Sequence, residues 1–216
     1  MEKNNSKIIA VAALVVAVIG LSIGFAAFAA TLTIENISAT MTADNQFTAN
    51  VNYKSATTNC YVTGTSASIS GSYSEGTASG KLWNGISVPL TMSQKSVTCE
   101  AQIENSSAYR AALNTISFGG TMSCQSVAAS GTEGYATNAS TICDNTSVTV
   151  STGSASKTFT NASHDSLTGI TNTSIASSGS ATVYVTIAYN SNVAADGDVS
   201  ITIPTISLEY KSAAAE

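Results

Sequence analysis

Charge is what this chain has least of. Only 10% of its 216 residues are charged, 8 Lys and Arg against 13 Asp and Glu, for a net charge of −5. A nucleic-acid partner requires clustered Lys and Arg, and their absence excludes that class. Histidine is reduced to His164. With a single imidazole there is no H-E-x-x-H, which excludes a metalloprotease of that type. C-x-x-C is missing too, so neither a zinc site nor a thioredoxin-like redox pair is supported. No G-x-S-x-G stands ready to use His164 and Asp165 as half of a nucleophile-activating pair. Helical periodicity of useful length is lacking beyond residue 30.

What is present begins at the N-terminus. After Lys3 and Lys7 the chain runs uncharged from Ile8 to Ala30, IIAVAALVVAVIGLSIGFAAFAA, then turns directly into TLTIENI. A basic start followed by about 23 apolar residues reads as an export segment, either a cleaved signal or an uncleaved membrane anchor. Cleavage is expected around Ala26, Ala27, Phe28, Ala29 and Ala30, because only small side chains fit a signal-peptidase pocket. Residues 31–216 then form a single extracellular or cell-surface domain of about 186 residues, enough for a sizeable core. That part is rich in Ser, Thr, Gly, Ala and Asn. Low charge with many hydroxyls suits a surface that packs against copies of itself.

Cys60, Cys99, Cys124 and Cys143 all lie in the exported part. An even count in an oxidising compartment favours disulfides, against the alternative of free buried thiols. Three pairings exist for four cysteines. Alternation puts Cys60 on a face with Val62, and Cys99 on one with Val97, Ala101 and Ile103. The preferred pairing is therefore Cys60–Cys99 across two strands, with Cys124–Cys143 tying down the polar loop between them.

Period-two alternation recurs along the chain, at Leu32 and Ile34, at Phe47, Ala49, Val51 and Tyr53, and at Ile86, Val88, Leu90 and Met92. It continues through Val97 to Ile103, Val148 and Val150, and Val183 to Tyr189. In VSITIPTISLEY the phase flips from Val199, Ile201 and Ile203 to Ile206, Leu208 and Tyr210, which predicts a bulge or an edge position at Pro204–Thr205. Gly, Ser and Asn clusters at 70–80, 130–141 and 174–179 predict loops. The expected fold is all-β, an antiparallel β-sandwich of the jelly-roll or immunoglobulin-like type preceded by an N-terminal apolar export helix.

Three stretches carry a resemblance. The export segment ending GFAAFAATLTI resembles the signal peptides of the TasA and camelysin family of bacterial matrix-fibre proteins. SVTCEAQIENSSAYRAALNTISF, a strand, a polar turn, a Tyr and a second strand, is similar to that group. So is GSATVYVTIAYNSNVAADGDVSITIPTISLEY, a hairpin with a long polar turn. The resemblance covers the signal and about a third of the mature chain. It implies a jelly-roll subunit that polymerises by donating an N-terminal strand, here within residues 31–53 with Leu32 and Ile34 as its apolar face. The four cysteines and the long Ser/Thr/Gly loops depart from the family.

Other candidates have plainer readings beside the functional ones. Asp196 and Asp198 in ADGDV present carboxylates that a calcium ion could share, but no EF-hand loop is complete and Asp-Gly is first a turn. Glu100 and Glu104 read as a wet strand face. Sequons occur at Asn4, Asn36, Asn105, Asn138, Asn145, Asn161 and Asn172, about what this Ser/Thr content gives by chance. Trp83 and the tyrosines could line a sugar-binding face, or fill the core. No metal, cofactor or catalytic residue is expected. The expected function is a non-enzymatic structural subunit of an extracellular fibre, pilus or biofilm matrix, partnered by copies of itself and by the membrane through residues 8–30. The alternative is a secreted or tethered surface sandwich that binds a protein or glycan as a monomer.

Overall fold

Alternating sequence becomes strand through most of a computed structural model that describes residues 29–34, 39–40, 46–55 and 57–213. The N-terminal part forms β1 (Ala29–Ile34), β2 (Ala39–Thr40), a short helix α1 (Gln46–Asn50), β3 (Val51–Tyr53) and β4 (Asn59–Val62). Next come β5 (Ser74–Ser79), β6 (Leu82–Ser87), β7 (Ser96–Asn105), β8 (Arg110–Phe118) and β9 (Ser123–Ser126). After helix α2 (Ala139–Asp144) follow β10 (Thr146–Thr152), β11 (Ala155–Phe159), β12 (Leu167–Thr168), β13 (Ser174–Ile175), β14 (Gly179–Tyr189), β15 (Val199–Thr202) and β16 (Ile206–Ala213).

These strands build two six-stranded antiparallel sheets. The first runs β12-β8-β16-β1-β2, with β13 also on β8, and the second β11-β10-β14-β7-β3, with β4 also on β7. Two hairpin-sized pairs, β5–β6 and β9–β15, complete the fold. One contiguous core contains Leu113, Ile116 and Leu208 of the first sheet together with Val97, Ile103, Val150 and Val185 of the second. Phe118 of the first sheet stacks on Phe159 of the second, centroids 4.7 Å apart and planes 8° from parallel. The two sheets thus face each other as a sandwich, and the described chain is all-β apart from its two short helices.

The polar links between strands move the chain from sheet to sheet. β7 and β8 lie in different sheets, so the turn between them crosses the sandwich. Asn105 holds that turn: its amide donates to the carbonyls of Tyr109 at 2.7 Å, Ile175 at 3.2 Å and Ala176 at 3.0 Å. Satisfying a buried side chain this fully is what its 1% exposure demands.

Several local expectations are corrected. Residues 46–50 are helical, not extended; one helical turn brings buried Phe47 and Val51 to the same side, four residues apart. The strand expected over Ile86–Met92 ends at Ser87. The loop expected over 70–80 contains β5, whose own residues are mostly polar because its partner β6 supplies the apolar Trp83 and Ile86. The 130–141 loop ends inside α2, and the 174–179 loop contains β13, where Ile175 is buried. The phase flip at Pro204–Thr205 is a change of sheet, since β15 pairs with β9 and β16 enters the first sheet. Proline, which cannot donate to a ladder, suits the gap between them. The irregularity lies elsewhere, where Asn114 is the extra residue of β8 opposite Glu209 and Tyr210. Its amide reaches Glu209 Oε2 at 2.9 Å. Nor do β14 and β15 form a hairpin, because β7 and β10 occupy both edges of β14.

Candidate functional site

Both expected disulfides are present, Cys60–Cys99 with Cα atoms 4.0 Å apart and Cys124–Cys143 at 5.7 Å. The first joins directly opposed residues of β4 and β7. The second ties β9 to α2. Of the cleavage region, Ala26, Ala27 and Phe28 lie outside the described residues, as do all but the last two residues of the apolar helix expected over 8–30; those two, Ala29 and Ala30, are not helical but open β1, opposite Lys211 and Tyr210. Among the described residues no helix is long and apolar enough to cross a membrane. β1 runs antiparallel to β16 of its own chain, placing Leu32 in register with Leu208 and Ile34 with Ile206.

The remaining candidates resolve into structural work. His164 and Asp165 are exposed on a loop. Asp196 clamps two loops together: its carboxylate accepts from Thr137 Oγ1, from the Thr137 amide at 2.9 Å and from the Asn138 amide at 3.3 Å. Those bonds, the Thr137 hydroxyl first, hold its carboxyl below the usual range. Among the described residues no three His, Cys, Asp or Glu converge on a metal-sized point. Four sequon asparagines also donate their amides to the fold: Asn105 as above, Asn138 to Ala194 O, Asn145 to Thr141 O and Asn161 to Met122 O. Asn172 is exposed. Trp83 is fully buried, donates to Glu75 O at 3.1 Å and packs at a tilt on Tyr53. It is core, and takes no part in any sugar-binding face.

Two concave regions stand out among the described residues. A groove of ≈ 800 Å³ is walled by Ile86, Leu90, Ile187, Ile201 and Ile203, with exposed Met92 and Val127 at its margin. A smaller cleft of ≈ 380 Å³ is lined by Asn59, Tyr61, Ser66, Ser68, Tyr73 and Glu100. It opens beside the outer face of the second sheet. Alternation builds that face: Cys60, Cys99, Val183 and Val185 point inward and are buried, so Tyr61, Glu100 and Tyr184 point out. Register lays a transverse row of Tyr61, Thr98, Thr186, Thr149 and Thr158 across five strands. Its hydroxyls bond sideways, Thr98 to Thr186 at 2.8 Å and Thr149 to Thr158 at 2.8 Å. The next row sets Asn59, Glu100 and Tyr184 side by side. Partial burial, then the nearby Glu100 charge, push the Tyr61 phenol above its usual pKa.

A wet-face reading of Glu100 alone missed this cluster. The available signal was adjacency to cysteine: Tyr61 follows Cys60 and Glu100 follows Cys99, so the bridge between the inward residues fixes the outward pair. No family model matches the chain, and no curated protein or solved structure matches it.

Proposed function

We propose that this protein is a structural subunit of an extracellular fibre, pilus or biofilm matrix, with a jelly-roll or immunoglobulin-like sandwich that joins its neighbours through its N-terminal strand. The observation that carries the reading is the seat of β1. Its six residues lie in register along β16, whose other edge is held by β8, while β2 covers only Thr33 and Ile34 of β1. Beneath that seat Ile206, Leu208 and Tyr210 are fully buried. Withdrawing β1 would bare the β16 edge, and the same strand from a second copy presents the same main-chain pattern to it. The export segment and the two disulfides support an extracellular setting. A second reading, a surface domain that works as a monomer, is favoured by the seating of β1 within its own chain.

Electron microscopy and sedimentation of wild type and Leu32→Asp/Ile34→Asp separate the two. A carboxylate opposite Leu208 or Ile206 is costly in an apolar seat, so the variant should lose fibres. Fibres from the variant, or a wild type that remains monomeric at high concentration, would overturn the fibre reading.

A further inference from the structure

We propose that the outer face of the second sheet around Tyr61, Glu100 and Tyr184, together with the cleft beside it, binds a neutral glycan. This inference does not depend on fibre formation, since a monomer displays the face once and a fibre many times.

The first argument is composition at the site. Two tyrosines flank a carboxylate on neighbouring strands, and Tyr73, Asn59, Ser66 and Ser68 close the adjacent cleft. Sugars are bound by such sets: the electron-rich ring faces take the C–H face of a pyranose, while carboxylate, amide and hydroxyl groups take its hydroxyls. A cleft of ≈ 380 Å³ lies at the small end of the range for ligand pockets. The second argument is spacing. Tyr61 and Tyr184 stand on strands either side of β7 and one step apart along it, roughly 10–12 Å between their Cα atoms. That is the reach of two linked hexoses, so one chain can touch both rings.

Charge narrows the class. Glu100 lies among the tyrosines, and no Lys or Arg is found among the residues that line the cleft, which disfavours sulfated or uronic glycans. Rigidity is the third argument. The Cys60–Cys99 bridge fixes the strand that carries Tyr61 against the strand that carries Glu100, and linked threonine hydroxyls hold the row beside them. The backbone that carries the site is therefore already ordered, and ordering it costs nothing further on binding. An aliphatic ammonium could also approach tyrosines and a carboxylate, but an open sheet face offers it no enclosing cage.

The test is isothermal titration of the full-length protein with cellohexaose, maltohexaose, chitotetraose and, as the competing class, choline, each taken to about 10 mM. At least one neutral oligosaccharide should bind. Tyr61→Ala should weaken it about tenfold or more, and Tyr184→Ala and Glu100→Gln several-fold, with the unfolding transition of each variant checked. Glu100→Gln keeps the shape of the site, so it reports even if Tyr61→Ala fails to fold. The proposal is overturned if no oligosaccharide binds the wild type, if choline alone binds, or if folded Glu100→Gln and Tyr184→Ala bind as tightly as wild type. Fibre formation by the same samples is scored separately, so failure here leaves the assembly reading standing, and the reverse.

Discussion

Lys81 has an ammonium group that donates to the carbonyl of Val51 from a half-buried position. Removal from water disfavours its charged form and lowers its pKa from 10.5 to about 8. Between those values the unfolded chain binds more protons than the folded one, so stability should rise as pH increases from about 8. Below pH 8 the whole cost of the buried charge is carried. Tyr53 and Tyr210 act in the opposite sense at higher pH: burial raises both phenols, so stability is lost as pH climbs above about 10. Chemical denaturation across this range should show a gain from about pH 8 to 10 and then a fall. Lys81→Met should remove the gain and leave the fall. A wild-type profile flat between pH 8 and 10 would contradict the assignment.

Elements here are held as much by loop locks as by ladders. The segment around Asp196 is pinned to Thr137 and Asn138. Gly197 lies so close to the neighbouring loop that an added Cβ would collide with Gly134 O and fall 2.8 Å from the Ala136 amide. Both near atoms are backbone and neither can swing aside. Gly197→Ala should cost about 1–3 kcal/mol by overpacking, read in urea unfolding. Gly76 is similarly constrained inside the β5–β6 hairpin, where φ is +72° and a methyl group would run into Asn84 O. The long alternating strands β7, β10 and β14 are legible in sequence because each has one buried and one wet side. β5 and β13 are not, because short polar strands take their place from their partners.

Across the whole molecule the two bridges divide the work. Cys60–Cys99 closes a separation of 39 residues and Cys124–Cys143 one of 19. Each should contribute about 2–4 kcal/mol. Doubling the closed loop adds about 0.6 kcal/mol in the chain-entropy account, so Cys60→Ala/Cys99→Ala should be the more destabilised of the two double variants in urea titration. Equal losses would show that local strain or denatured-state structure outweighs loop length.

Alternation of side chains is a local property, and the sequence by itself determined what depends on it: an all-β chain, the strands with one apolar side, and the inward residues that bring Cys60 opposite Cys99. Which strand lies beside which is a long-range matter of edges and core volume, and only the tertiary structure decided it. Nothing local in VSITIPTISLEY states that β15 will join β9 and β16 will join β8 and β1, because either edge satisfies the same backbone donors. The same holds for Tyr184, 84 positions from Glu100 in the chain and made its neighbour only by the pairing of β7 and β14.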